Sequence, residues 1–298
     1  MRNLLHIFLP LVIFAASLSG QSSLPAPAGT TTTPQSQTQS KSAKAAPIPI
    51  EQENAHKARA LIEQGIQALG GQAWLNLHNK EEQGRAYSFY HGRPTSNGVV
   101  YWRFIQYPDK ERVELTQQRD VAEIYVGNKG TEVTYKGPRE IEKKDMDDYL
   151  RRRRFSLENI LHNWVNDPTV ALFFDGPALA GSQAAQKVTL INNKDEAVDL
   201  YFDIDTNLPI MKSYTWRDST DHEKNTEEET WNGYRSVQGI MTPWGFTRYY
   251  NGDMQAERFI NSASYDQELN PAMFDPNSGY NALKEAEKAE KAEKKKKK

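Results

Sequence analysis

Between Asn225 and Tyr265 apolar residues recur in three successive runs separated by turn residues, and they fall on both parities of each run. Trp231 to Val237 is rich in aromatic and β-branched residues, Gln238-Gly239 forms a turn, and Ile240 to Tyr250 runs on to Asn251-Gly252. Met254 to Tyr265 then completes a predicted β-meander. Asn-Gly suits a two-residue type I′ turn because both positions need positive φ, which Gly tolerates freely and Asn better than most. Trp244, Phe246 and Tyr250 share one parity, while Met241, Pro243 and Tyr249 share the other. A sheet with apolar residues on both faces must be covered on both, or must curl around something apolar.

The same alternation recurs upstream. Strands are predicted at Arg85 to Tyr90, Val99 to Tyr107, Glu111 to Thr116, Val121 to Val126 and Thr131 to Tyr135, with turn signals such as Asn97-Gly98 and Gly127-Asn128 between them. In the second of these Val99, Tyr101 and Ile105 share one face, and Val100, Trp102 and Phe104 the other. Strands resume at Gln186 to Ile191, Val198 to Ile204 and Leu208 to Trp216. Two stretches carry a helical period instead. His56 to Leu69 places Ala58, Leu61, Ile62, Gly65, Ile66 and Leu69 on one stripe and stops at Gly70-Gly71. Ile141 to Phe174 predicts two short helices, around Met146, Tyr149 and Leu150 and around Leu157, Ile160, Leu161 and Trp164, with Ser156 as an N-cap between them. About eleven hairpin-linked strands with few helices predict a mainly β protein with α elements, whose large antiparallel sheet curls and is covered by helices on its concave side.

Composition sets the boundaries. Arg2, the apolar run Leu4 to Ala16 and the small residues Ser17, Ser19 and Gly20 have the layout of a cleavable secretory signal, in a run short for a bilayer span. Residues 1–20 are therefore expected to be a signal peptide and 21–50, rich in Ser, Thr, Gln, Ala and Pro, a disordered linker. Residues 51–280 are expected to form one β-rich domain, followed by a Lys/Glu-rich tail at 281–298. That tail reads either as a solvated helix or as a cationic contact to an anionic surface. The absence of cysteine excludes a disulfide framework, a thiolate metal site, a cysteine nucleophile and a lipid-modified cysteine, so the exported chain is expected to be periplasmic or secreted, without a lipid anchor. The formal net charge of −2 becomes more negative once Arg2 and the Lys-rich tail are set aside, and no nucleic-acid partner is expected.

The residues carry no recognisable reaction. The six histidines, at positions 6, 56, 78, 91, 162 and 222, form no metal-ligand spacing, and Gly-Xaa-Ser-Xaa-Gly, Walker-type and dinucleotide patterns do not occur. Asp203 and Asp205 read as turn builders rather than an acid/base pair. No catalytic residue, metal or cofactor is expected. Arg151, Arg152, Arg153 and Arg154 admit two readings: a helix end paired with Asp145, Asp147 and Asp148, or guanidinium forks that grip a phosphate or carboxylate head group. Six Trp, fourteen Tyr and eleven Phe likewise fit either ordinary β-core packing or a partly unfilled interior. In the second reading Trp102, Phe104, Trp216, Trp231, Trp244 and Phe246 line a cavity for an acyl chain.

Two stretches resemble the LolA/LolB-like family of outer-membrane lipoprotein-sorting proteins. Near the start they are the helix ending in Leu69-Gly70-Gly71, then Trp74 and the strand from Gly84. Near the end they are Asp203 through Leu208-Pro209, Tyr234-Arg235-Ser236-Val237 with Gly239-Ile240 and Pro243, and Ile260-Asn261 through Leu269-Asn270-Pro271 and Phe274. The resemblance implies a half-open antiparallel β-barrel with helices as a lid over an apolar cavity. It implies a non-enzymatic, soluble periplasmic carrier of lipoprotein or lipid acyl chains, with transfer partners at the inner and outer membranes. A lipoprotein-sensing or scaffold protein of the same fold is the alternative it leaves open.

Overall fold

The computed structural model describes residues 49–95, 97–218 and 222–296. The expected signal peptide, and the expected linker apart from Pro49 and Ile50, lie outside the described residues. Two helices come first, α1 (Ile50–Leu69) and the short α2 (Gln72–Leu75). Helix α1 begins at Ile50 rather than at His56, and its expected stripe of Ala58, Leu61, Ile62, Gly65, Ile66 and Leu69 is buried.

Fourteen of the strands form one antiparallel sheet built from two meanders that meet in its middle. The first starts at β1 (Asn79–Tyr90), on whose end the two-residue β2 (Arg93–Pro94) folds back. It runs outward through β3 (Val99–Gln106), β4 (Lys110–Leu115), β5 (Val121–Val126) and β6 (Lys129–Thr134) to β7 (Gly137–Glu140). Helix α3 (Lys143–Arg154) and α4 (Leu157–Asn159), which continues as a π-helical turn over Ile160–Trp164, then lead to the opposite edge. From there β8 (Ala171–Ala180), β9 (Gln183–Ile191), β10 (Ala197–Asp203), β11 (Pro209–Arg217) and β12 (Lys224–Asn232) run inward. A separate hairpin of β13 (Arg235–Val237) and β14 (Ile240–Thr242) intervenes before β15 (Gly245–Tyr250) and β16 (Asp253–Tyr265), and β16 pairs with β1. Strands β7 and β8 are the two ends of the sheet, which does not close. Because α3 and α4 link these two ends, that segment has to cross a face of the sheet.

Three features depart from the sequence-based expectation for reasons that are local. The run Trp231 to Val237 is not one strand: β12 ends at Asn232, Gly233 turns the chain at a φ of 64°, and residues 235–242 fold on themselves around Gln238-Gly239. The expected turn at Asn251-Gly252 is present, with φ of 49° and 82°. Strand β8 was hidden by Gly176 and Pro177, but it lies at the sheet edge, where a proline leaves no ladder bond unmade, and the register shifts between Phe174 and Gly176. Ser156 caps α4 as expected, its hydroxyl accepting from the Asn159 N–H at 3.1 Å.

The core sits on one half of the concave face. Leu172, Val188, Leu190, Val198, Leu200 and Phe202 of β8 to β10 are buried against the stripe of α1 and against Phe155, Ile160, Leu161 and Trp164. Gly65 permits the close approach of α1 to β10: a Cβ there would stand 2.3 Å from the Phe202 ring. On the other side of the sheet a 3₁₀ turn, Pro271–Phe274, packs on β4 and β5, and Arg112 Nη1 donates to the Met273 carbonyl at 2.7 Å. The tail forms α5 (Ala282–Lys296). No described helix is long and apolar enough to cross a membrane.

Candidate functional site: a cavity on the concave face

The helices fill the concave face over β8 to β10 and leave a cavity of about 2260 Å³ over the remaining strands. Its floor is the inward parity of β1, β3, β4, β11, β12, β15 and β16, and α3 and the segment from Leu69 to Leu77 stand above it. One part of the wall is apolar, with Leu75, Leu77, Ile105, Met241 and Ile260. The rest is not. In strand after strand a charged residue takes the inward position beside an aromatic one: Arg103 beside Tyr101, Glu229 beside Trp231, Arg248 beside Phe246.

Glu82 is the hub of these charges. Its carboxylate lies 2.7 Å from Lys80 Nζ, 3.4 Å from Arg258 Nη1 and 3.6 Å from Arg103 Nη1, and it accepts from the Tyr101 hydroxyl at 3.2 Å. Burial alone would push such a carboxyl up, but the Lys80, Arg103 and Arg258 charges outweigh it and hold Glu82 well below the usual carboxylate range. Arg103 also donates to Glu111 at 2.6 Å, and the Tyr149 hydroxyl donates to the other oxygen of that carboxylate at 3.2 Å, so α3 is fastened to the floor. Lys212, 1 % exposed, pairs with Glu229 at 2.8 Å.

The structure divides the six expected aromatic residues. Trp216, Trp231 and Phe246 line the cavity. Each carries a cation over its ring, Arg151 at 3.8 Å from Trp216, Lys212 at 6.0 Å from Trp231 and Arg258 at 4.2 Å from Phe246, so the expected purely apolar lining is instead amphipathic. Trp102 and Phe104 point the other way. Their parity on β3 is that of Arg112 and Glu114 on β4, and Arg119 lies over both rings on the convex side. Trp244 stands outside the cavity too, under Arg235 at 4.5 Å. A strand pattern that is apolar on both faces does not say which face the helices cover.

The four arginines at the end of α3 separate in the same way. Arg151 pairs with Asp148 at 2.7 Å. Arg153 donates to the Gly127 carbonyl at 2.6 Å and to Asn128 Oδ1 at 3.0 Å, tying α3 to the β5–β6 hairpin, and Arg154 pairs with Glu196 at 2.9 Å beside β10. Asp147 is held by Lys143. Arg153 and Arg154 thus fasten the helix across the sheet, Arg151 is paired within the helix and stacked on Trp216, and Arg152 alone of the four lines the cavity without a hydrogen bond or ion pair among the described residues. Sequence reading missed Lys80, Glu82, Arg103, Lys212, Glu229, Arg248 and Arg258; the last five each interrupt an apolar strand pattern at the parity of an inward aromatic or aliphatic neighbour, whereas Lys80 and Glu82 lie in the polar run 79–83, which carries no such signal.

An open antiparallel sheet, half of its concave face filled by helices and half left as an amphipathic cavity, defines a fold with an internal binding space. That fold is shared with solved structures. A DUF1329 family protein from Desulfovibrio piger superposes with a TM-score of 0.52 at 10% identity, covering 73% of this chain and 97% of that one. A putative outer membrane lipoprotein-sorting protein domain from Vibrio parahaemolyticus superposes with a TM-score of 0.51 at 10% identity, covering 75% of this chain and 98% of that one. A LolA superfamily protein from Nitrosomonas europaea matches at 11% identity with a TM-score of 0.45, over 73% and 96% of the two chains. The fold expected from the family resemblance is the fold observed. No family model matches the sequence, and no curated protein matches it.

Proposed function

We propose that the domain at residues 51–280 is a periplasmic carrier that holds the acyl chain of a lipoprotein or lipid in the cavity and hands it on towards the outer membrane. The observation that carries this reading is the cavity itself, about 2260 Å³ left open beside a finished core on the same face of the same sheet. A scaffold gains stability by filling such a space, because cavities cost contacts and buried area. The volume exceeds the ~300–1,000 Å³ usual for small-molecule pockets and suits an elongated ligand. Leu75, Leu77, Ile105, Met241 and Ile260 give the chain an apolar wall, where each methylene taken from water contributes about 0.8 kcal/mol. Trp216, Trp231 and Phe246 add aromatic surface to the lining.

Residues 1–20 act as the export signal in this reading, membrane partners at either side load and receive the cargo, and the Lys-rich tail at 281–298 adds contact with an anionic surface. The fold shared with a putative outer membrane lipoprotein-sorting domain supports the reading at the level of architecture. The test is to export the full chain to a periplasm, purify the mature protein without detergent and analyse an organic extract by mass spectrometry. Stoichiometric acyl lipid or lipoprotein is the expected result. An empty extract, together with no uptake of a fluorescent fatty-acid probe, overturns the carrier assignment.

A further inference from the structure

The charges of the cavity are satisfied unequally. Lys80, Arg103 and Arg258 share Glu82, Lys212 takes Glu229, and Arg151, Arg153 and Arg154 are committed to Asp148 and to the hairpins. Two guanidinium groups remain. Arg152, on α3 above, and Arg248, on β15 below, line the cavity, and neither forms a hydrogen bond or ion pair with any described residue. The reason for Arg248 is visible in the register. It stands directly across the β12–β15 ladder from Glu229, but that carboxylate turns to Lys212 at 2.8 Å, leaving Arg248 without a direct contact.

We infer that Arg152 and Arg248 together bind the anionic head group, a phosphate or carboxylate, of an amphiphile whose chain occupies the apolar wall of the same cavity. The inference rests on the carrier reading and gives it a ligand class. Burial pushes the Arg248 pKa down, and the neighbouring positive charge of Arg152 pushes it the same way, against the opposing pull of Glu227 and Glu229. A partly buried cation with no directly bonded counter-ion is incompletely compensated, and an anion arriving between two guanidinium forks supplies that partner and can be held bidentately. The surroundings agree in sign: fifteen Lys and Arg against eleven Asp and Glu line the cavity, in a chain whose net charge is −2.

The test is calorimetric titration of the mature protein, stripped of lipid, with dodecyl phosphate, dodecanoate, 1-dodecanol and inorganic phosphate, each below any aggregation threshold. The variants are Arg152→Gln and Arg248→Gln. Arg152 holds no contact that the fold depends on, so an unchanged Tm is expected for its variant. Both anionic amphiphiles should bind at least tenfold more tightly than dodecanol, and each variant should lose most of that factor while keeping its affinity for dodecanol. Equal affinity for charged and uncharged chains, or a ratio unmoved in Arg152→Gln, overturns the inference and leaves the carrier reading standing. No binding of any twelve-carbon ligand overturns both. Inorganic phosphate binding as tightly as dodecyl phosphate overturns the head-group assignment and gives the two arginines to a free anion.

Discussion

A carboxylate buried among three cations, as Glu82 is, is worth most where its removal leaves the cations unpaired. Glu82→Gln keeps the shape and strands Lys80 and Arg258 beside a neutral amide, with Arg103 held by Glu111 alone, a change expected to cost about 3–5 kcal/mol at pH 7. The pH dependence has a definite sign. In the unfolded chain the group titrates near the ordinary glutamate value of about 4.3, and in the folded chain well below it. Its stabilisation is therefore complete above that unfolded value and is lost progressively as the pH falls towards the folded one. Urea unfolding of both proteins should show a gap that is constant from pH 6 to 8 and narrows below about pH 4. A gap independent of pH would mean that packing, not charge, holds Glu82. The two faces of the sheet give a second contrast between single residues. Trp231→Ala should weaken binding of a fluorescent acyl probe several-fold, whereas Trp102→Ala, on the convex face, should lower Tm and leave probe affinity unchanged.

At the scale of elements, the sequence was legible wherever the deciding interaction is short-range. The stripe of α1, the Ser156 cap and the Asn251-Gly252 turn are each set within a few residues, and each is where the pattern puts it. The small hairpin of β13 and β14 was not legible, since Tyr234 to Val237 continues the composition of β12 and only Gly233 marks the break. Nor was the inward face: Trp102 and Trp231 look alike in sequence, and what separates them is that helices cover one side of the sheet and the Pro271–Phe274 turn the other. Helix α1 shows how such a cover is fixed. It meets β10 at Gly65, where a methyl group would collide with the Phe202 ring. Gly65→Ala gains about 1 kcal/mol of helix propensity but pays about 1–3 kcal/mol in overpacking, so a net loss is expected in denaturant unfolding. A stabilised variant would show that α1 can lift from the sheet at little cost.

For the whole molecule the consequence is two independently covered faces. The concave face holds the core and the cavity, while the convex face of β3 to β5 carries a buried charge cluster sealed by the chain's C-terminal part. There Glu114, fully buried, accepts from Arg112 at 2.6 Å and from Arg119 at 2.5 Å, and Arg112 also donates to the Met273 carbonyl and lies 4.8 Å from the Tyr280 ring. Arg112 thus joins the sheet to the segment that leads into α5. Arg112→Leu keeps the bulk, removes the bond to Met273 and leaves Glu114 with Arg119 as its remaining cation, at an expected cost of about 3–5 kcal/mol. Because the loss falls on the segment after Pro271, limited proteolysis should cut between Asp275 and Asn281 faster in the variant than in the wild type. The acyl probe should bind both with the same affinity, since Arg112, Glu114 and Arg119 do not line the cavity. Slower binding or a weaker affinity in Arg112→Leu would instead mean that the C-terminal segment is coupled through the sheet to the cavity, and the two faces would have to be treated as one device.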